Sequence, residues 1–239
     1  MRLFVPPRAL AAGELRVTGD EHHYLARVRR ARAGDEVELV DGEGARAQAV
    51  IVAIADDSAL LRVGEPEQIA ARPPLVRALV PPIKGDRMDA CLEKLVEVGA
   101  DEIVVWPAAR AVVRWDGERL RARRAKFEAE LKAAARQSGR ARVPAIAFAG
   151  DLAGAIAHAP GLGVVLDPAA DGELGALAPA LGSATAVTVA SGPEGGFAPE
   201  ELERLARAGF ASVGLGPRVL RAETAPVIAV ALIRALTRS

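Results

Sequence analysis

The chain has very few of the side chains that bind metals or form disulfides. Cys91 is its only cysteine, which excludes an internal disulfide and a cluster of thiolate ligands. The three histidines, two of them adjacent, make a poor zinc site. Cys91 stands at helical spacing from Met88, Leu92 and Leu95, which is typical of a core residue. We therefore expect a buried thiol, no metal and no redox chemistry.

Long apolar runs and aromatic side chains are also scarce. No stretch approaches the roughly 20 apolar residues that cross a bilayer, and the first residues lack the apolar core of a signal peptide. The sequence therefore predicts a cytoplasmic protein that spans no membrane. Aromatic residues make up 3% of the chain, which argues against recognition of nucleic acids by stacking many bases and favours shape and phosphate contacts.

The common nucleotide-binding fingerprints are missing. No G-x-x-x-x-G-K-[ST] occurs, and no G-x-G-x-x-G follows a strand and opens a helix. Gly42 and Gly44 lie in a predicted hairpin instead, and the glycine-rich turn of the common methyltransferase sheet is absent. These absences argue against ATP, NAD and an ordinary Rossmann pocket.

The zero net charge conceals a strongly basic segment. Residues 110–142 contain 11 Lys or Arg against four acids, a net +7, whereas residues 143–239 contain six against nine, a net −3. A smaller basic cluster lies at 27–32. Concentrated positive charge is expected in a protein that binds a polyanion such as nucleic acid. A solvated helix face is the alternative that the charge pattern leaves open.

The first 63 residues predict mainly strands. Alternating residues at 36–39, a turn at Asp41-Gly42 and a β-branched run at 47–54 indicate a small antiparallel barrel. One helix, about 21–30, places Leu25 and Val28 inward and its arginines mostly outward. Residues 64–74 lose the alternation and contain three prolines, which is typical of a linker. We therefore predict one domain at 1–70 and a second at 75–239.

The second domain alternates short apolar runs with helical patterns, which predicts an α/β fold with a parallel sheet. The predicted strands are 76–80, 103–106, 145–148, 163–166, 186–190 and 212–215. The predicted helices are 86–98, 117–138, 199–208 and a terminal helix at 225–236.

Three unusual loops follow predicted strands. Residues 191–197 follow one strand, 216–221 follow another, and Asp167-Pro168 follows a third. Ligands of open α/β sheets bind beyond the carboxyl ends of the strands, so these loops predict a pocket. In the 192–196 turn, the glycines permit positive φ and close backbone approach, Pro193 stiffens the chain and Glu194 adds a charge. A plain strand-to-helix turn would require fewer glycines.

Several motifs together resemble one known family. Gly-Pro-Glu-Gly-Gly-Phe at 192–197 and Leu-Gly-Pro-Arg-Val-Leu-Arg-Ala-Glu-Thr-Ala at 215–225 closely resemble the RsmE family of bacterial RNA methyltransferases. Residues 22–29, 84–88 with 93–100, and 134–140 with Pro144 match further family motifs in the same order. Ala109 departs from the pattern, since many relatives have an acid there.

The resemblance implies an α/β fold of the SPOUT type, with a C-terminal deep trefoil knot and a small N-terminal PUA-like β-barrel. It also implies a homodimer. The implied reaction is S-adenosylmethionine-dependent methylation of N3 of a uridine in the 16S rRNA of the small ribosomal subunit, the uridine usually numbered 1498. S-adenosylhomocysteine would be the product. A SPOUT enzyme acting on another RNA or at a ribose 2′ oxygen, and a non-catalytic RNA-binding protein, are the alternatives.

By motif position, the resemblance implies that the cofactor lies against two loops and the end of one strand. The implied residues are Leu166, Gly192, Pro193, Glu194, Gly195, Gly196, Leu215, Gly216, Arg218, Leu220 and Ala225.

Removal of the uracil N3 proton requires a base or a cation that stabilises the developing anion. We favour Arg221 for the electrostatic role, with Arg140 as the next candidate. A salt bridge from Arg221 to Glu223 or Glu194 that only shapes the loop is the alternative. Glu194 is the candidate base, although it could equally accept backbone N–H bonds in its turn.

RNA is expected to meet exposed arginines of both domains. These are Arg27, Arg29 and Arg30 in the first domain and Arg110, Arg114, Arg136, Arg140 and Arg142 in the second.

Overall fold

The computed structural model describes residues 1–115, 117–157 and 159–237, with the side chains of 117–119 and 121 outside the described part. The side chains of Arg119 and Arg121 in the basic segment therefore lie outside the described part. The chain forms two compact units. Unit 1 contains residues 1–71 and 135–143, and unit 2 contains residues 72–134 and 144–239.

Unit 1 is built on a six-stranded sheet. Its strands are β1 (Arg2–Phe4), β2 (Gly13–Thr18), β3 (Glu36–Val40), β4 (Ala45–Ile54), β5 (Ser58–Val63) and β6 (Glu67–Gln68). The order is β1-β3-β4-β5-β2, with β6 paired to β4. All pairs are antiparallel except β1 with β3. This parallel pair differs from the antiparallel expectation, because β2 and a helix separate β1 from β3 along the chain.

The helix of unit 1 changes type along its length. Helix α1 (Gly19–His23) continues into a π-helical turn at Tyr24–Val28, where the Arg29 N–H donates to the Tyr24 carbonyl at 2.9 Å. Leu25 is fully buried, as predicted, but Val28 is 59% exposed. The inward placement of Val28 was wrong, because a π turn has more residues than an α turn and rotates the following side chains.

Unit 2 is organised around a six-stranded parallel sheet. Its strands are β7 (Leu75–Val80), β8 (Glu102–Val105), β9 (Ala145–Phe148), β10 (Leu162–Leu166), β11 (Ala186–Ala190) and β12 (Ala211–Val213). They lie in the order β12-β10-β11-β7-β8-β9, and every pair is parallel. All five residues of the central strand β11 are buried. The predicted α/β fold with a parallel sheet is confirmed.

The helices of unit 2 connect these strands. They are α2 (Asp86–Val98), α3 (Gly117–Ser138), α4 (Leu152–Ile156), α5 (Ala178–Ser183), α6 (Pro199–Arg207) and α7 (Ala225–Leu236), and α3 runs on into unit 1. Within the described residues, no helix is long and apolar enough to cross a membrane. The trefoil knot stays a prediction from the resemblance, because strand order alone does not define which loop the chain passes through.

Arg136 explains why residues 135–143 group with unit 1. Its guanidinium donates to the Glu21 carboxylate at 2.5 Å and lies 4.4 Å from the ring centre of Tyr24 and 5.5 Å from that of Phe4. A half-buried guanidinium that is both paired and stacked on aromatic rings anchors its backbone. The predicted linear division had assigned this segment to the second domain.

Arg234 of α7 holds this helix against the end of α2 and the residues that precede β7. Its guanidinium donates to the Gly99 carbonyl at 2.6 and 2.9 Å, to the Pro74 carbonyl at 2.7 Å, and to the Asp101 carboxylate. Asp101 also accepts the Val76 N–H at 2.9 Å. Gly99 ends α2 with a φ of +103°, and a Cβ there would lie 3.1 Å from the Arg234 side chain. Glycine is therefore required both by the backbone and by the arginine.

We expect Arg234→Met to lower the free energy of unfolding by about 3 kcal/mol, because it removes a guanidinium that pairs with the partly buried Asp101 carboxylate and binds the Gly99 and Pro74 carbonyls. Urea denaturation followed by circular dichroism measures this loss. Arg207→Met is the matched control, since Arg207 is 74% exposed in a pair with Glu203 and is expected to change stability by less than about 1 kcal/mol. Equal losses in the two variants would contradict the role of Arg234.

Candidate active site

The three predicted loops meet at the carboxyl edge of the parallel sheet. The Asp167 N–H donates to the Val213 carbonyl at 3.0 Å, which joins the loop after β10 to the end of β12. The Ser191 N–H donates to the Leu79 carbonyl at 2.9 Å, which joins the loop after β11 to β7. A cavity of about 480 Å³ lies between these loops, and its walls include Leu166, Phe197, Leu202, Leu220 and Ala225.

The 192–197 turn depends on its glycines. Gly196 has a φ of +70°, and its N–H donates to the Pro193 carbonyl at 2.9 Å. A Cβ at Gly192 would lie 3.0 Å from the Phe197 ring. The first of these positions requires left-handed backbone and the second leaves no room for a side chain. Gly192, Pro193, Glu194 and Gly196 thereby line the cavity.

Gly195 faces the other way. A Cβ there would lie 3.1 Å from the Cβ of Arg110, and the Arg110 guanidinium donates to the Gly195 carbonyl at 3.3 Å. Among the predicted cofactor residues, Gly195 therefore contacts the loop after β8. Glu201 strengthens the same junction, because it accepts the Ala109 N–H and the Ala198 N–H, each at 2.8 Å.

Residues of the 215–225 segment divide between two neighbouring cavities. Leu215, Gly216 and Arg218 line a small one of about 40 Å³. Leu220 and Ala225 line both the small and the large cavity. Gly216 has a φ of +99°, which explains a glycine at this bend.

Arg87 is a charged residue of the site that sequence reasoning missed. It lines the large cavity, and its guanidinium lies 3.4 Å from the Glu194 carboxylate and 3.8 Å from that of Glu223. It stands in the first turn of α2, which follows β7 and therefore starts at the same edge of the sheet. The available signal was its position inside the 84–88 motif.

Arg221 lines the same cavity and is exposed. Among the described residues, no ion pair or side-chain hydrogen bond of Arg221 occurs, whereas its carbonyl accepts the N–H groups of Thr224 and Ala225. Glu194 and Glu223, the two partners considered from sequence, both pair with Arg87. The cavity thus presents one arginine shared by two carboxylates and a second arginine open to a ligand.

Five of the remaining predicted arginines are exposed. They are Arg110 and Arg114 in unit 2 and Arg27, Arg29 and Arg30 in unit 1.

The guanidinium groups of Arg136 and Arg142 are used within unit 1. Arg136 pairs with Glu21, and Arg142 donates to the Ile69 carbonyl at 3.1 Å. Arg140, the second catalytic candidate, also belongs to unit 1, whereas the cavity belongs to unit 2.

Cys91 is buried, as predicted, in the apolar face of α2. Burial, with a smaller contribution from the Glu223 charge, raises the pKa of its thiol to about 12. The thiol therefore stays protonated near neutral pH and is a poor nucleophile.

Comparison with known proteins agrees with this geometry. An RNA methyltransferase domain matches residues 72–234, and an RNA methyltransferase PUA domain matches residues 17–64. Ribosomal RNA small subunit methyltransferase E of Mycobacterium tuberculosis is 34% identical over 92% of this chain and 86% of its own length.

Two solved structures share the fold over nearly the whole chain. The Neisseria gonorrhoeae ribosomal RNA small subunit methyltransferase E bound to S-adenosylmethionine aligns with a TM-score of 0.86 and 27% identity, covering 98% of this chain and 97% of its own. A Legionella pneumophila protein with the same bound cofactor aligns with a TM-score of 0.87 and 25% identity, covering 98% and 96%. The predicted methyltransferase class and cofactor are confirmed at the level of the family. The chain belongs to the ribosomal RNA small subunit methyltransferase E family.

Proposed function

We propose that this protein transfers a methyl group from S-adenosylmethionine to N3 of a uridine in 16S rRNA, the uridine usually numbered 1498. The observation that carries the proposal is the large cavity, where the exposed Arg221 guanidinium faces a pocket framed by two glycine-containing turns. The similarity to the mycobacterial ribosomal RNA small subunit methyltransferase E supports the small-subunit rRNA as substrate. Because such a substrate is found in the cytoplasm, the proposal includes a cytoplasmic location for the protein.

The cavity residues fit S-adenosylmethionine. Leu166, Phe197 and Leu220 provide apolar walls for an adenine ring, and Gly192 and Gly196 bring backbone amides close without side chains. The predicted cofactor contacts at Leu215, Gly216 and Arg218 extend this surface into the small cavity. The bound cofactor supplies the methyl group, and the protein supplies position and charge.

Arg221 is the proposed electrostatic catalyst. As N3 of the uracil loses its proton, negative charge spreads to the ring oxygens O2 and O4, and a guanidinium beside either oxygen stabilises that charge. Arg87 is less suited to this role because two carboxylates already share it. Glu194 remains the candidate acceptor of the proton, and Arg140 the second candidate cation.

Domain roles follow from the same proposal. Residues 1–70 would contact RNA through Arg27, Arg29 and Arg30, and residues 75–239 would hold the cofactor and contact RNA through Arg110 and Arg114. We retain these five exposed residues as the main RNA contacts, because Arg136 and Arg142 are occupied within unit 1.

Purified small subunits that lack the modification should gain 3-methyluridine when incubated with the protein and S-adenosylmethionine. Nucleoside mass spectrometry of the digested rRNA identifies the product, and tRNA serves as the control substrate. A 2′-O-methyl nucleoside, or methylation of tRNA alone, would contradict the proposal in favour of another RNA target.

Arg221→Ala should lower kcat about 100-fold or more while changing S-adenosylmethionine affinity little, since its charge acts on the transition state. Turnover on small subunits and calorimetry with the cofactor measure the two effects.

Arg87→Gln is the matched comparison, because it removes a cation from the same cavity but releases Glu194 and Glu223. We expect it to weaken cofactor binding about tenfold. Without Arg87, the two carboxylates would repel each other and separate the loops that frame the cavity. Wild-type turnover in Arg221→Ala would refute the catalytic role of Arg221.

We further propose that the protein is a homodimer that uses α7. Ile228, Leu232 and Leu236 follow each other at four-residue spacing and are 39%, 41% and 39% exposed, so they form one apolar stripe on this helix. Apolar stripes of this kind are typical of surfaces that another chain covers.

Leu232→Glu should convert the dimer to a monomer, because it places a charge in the centre of the stripe. Size-exclusion chromatography with light scattering measures the mass. Arg207→Glu, at an exposed position of α6, is the control and is expected to remain dimeric. A wild-type protein that is monomeric at micromolar concentration would refute the interface.

A further inference from the structure

A second cavity, of about 490 Å³, lies at the carboxyl ends of β7, β8 and β9. Because all six strands are parallel, it lies along the same edge of the sheet as the active-site cavity at β10, β11 and β12. Trp106 lines the second cavity and Phe197 lines the first. Their rings stack with centroids 5.9 Å apart and an interplanar angle of 12°. This stacked pair forms the wall between the two cavities.

Both tryptophans of the chain, Trp106 and Trp115, line this second cavity together with Phe148. The indole N–H of each is buried, and none of the described residues accepts a hydrogen bond from it. Buried donors are normally satisfied, and an indole can only donate. An occupant with carbonyl oxygens beside flat faces would suit these walls.

Positive charge surrounds the same walls. Arg114 lines the cavity and is exposed. The Arg123 guanidinium lies 4.8 Å from the Trp115 ring centre, and that of Arg124 lies 4.9 Å from the Phe148 ring centre. The carboxylate that lines the cavity, Asp151, already accepts the Gly154 N–H at 2.6 Å at the start of α4. These walls and charges fit an occupant that is planar and attached to anionic groups.

We propose that this cavity holds a second unstacked nucleobase of the RNA strand whose target uridine enters the active-site cavity. This inference rests on the proposed function. The Trp115 ring stacks on the base, the fully buried Trp106 forms the wall of the pocket, and Arg114 meets a neighbouring phosphate. Two bases of one strand would then occupy adjacent pockets on either side of the Trp106 and Phe197 pair.

Tryptophan fluorescence tests the cavity directly. In a Trp106→Phe variant, Trp115 is the only indole, and the substituted phenylalanine preserves an aromatic ring beside Phe197. Titration with UMP and with AMP should quench Trp115 emission to saturation, and saturating S-adenosylmethionine should leave the quenching in place. Quenching that S-adenosylmethionine abolishes would place the nucleotide in the first cavity and overturn the proposal, as would an absence of quenching.

Kinetics on small subunits provide the second test. Trp115→Leu should raise KM for the subunit about tenfold, the loss expected for one base stack, with unchanged affinity for S-adenosylmethionine. Arg207→Ala is the control. If Trp115→Leu does not fold, Arg114→Ala carries the test and should shift KM in the same direction.

Normal KM values in both variants would overturn the second base site while leaving the proposed function intact. Conversion of Trp115→Leu to a monomer in light scattering would assign the cavity to the partner subunit and also overturn it. If the wild-type protein methylates no RNA, the proposed function fails, and the fluorescence titration still decides whether a base binds.

Discussion

The hydrogen bonds of Arg234 fix the position of α7, which forms part of the active-site wall. One guanidinium binds the end of α2, the entry to β7 and the carboxylate of Asp101, so α7 is positioned against the first strand of the parallel sheet. Ala225, the first residue of α7, lines both neighbouring cavities. The 214–224 segment is therefore held at both ends, by β12 and by α7. A loop fixed in this way can keep Arg221 exposed without giving it a protein partner among the described residues.

Charge balance explains why that exposure matters. Glu194 and Glu223 come from different loops, and without a cation between them they would repel each other across the cavity. Arg87 lies within 4 Å of both, so it joins the loops while neutralising part of their charge. Arg221 is then left to interact with whatever anion enters. Both arginines line one cavity, so their different roles depend on their positions: Arg87 lies beside the two carboxylates and Arg221 does not.

Local patterns were sufficient for most of the fold. Six short apolar runs marked the six parallel strands within about two residues, and glycines such as Gly99 and Gly139 marked helix ends. The short helices α4 and α5 were missed, because five or six residues show no clear period. The inward direction predicted for the Val28 side chain was wrong because of the π turn. The ion pairs of Arg87 could not be predicted from sequence, because Glu194 and Glu223 lie more than 100 residues away along the chain.

Net charge along the sequence overstates the charge that RNA can reach. Residues 110–142 carry a net +7, but Arg136 and Arg142 are occupied within unit 1, and Lys126 pairs with Asp89 and Glu130. Among the described side chains of unit 2, two arginines lie in the loop after β8, where Arg110 contacts the 192–197 turn and Arg114 lines the second cavity. These two arginines place positive charge along the carboxyl edge of the sheet, beside both cavities, where it would attract an RNA strand.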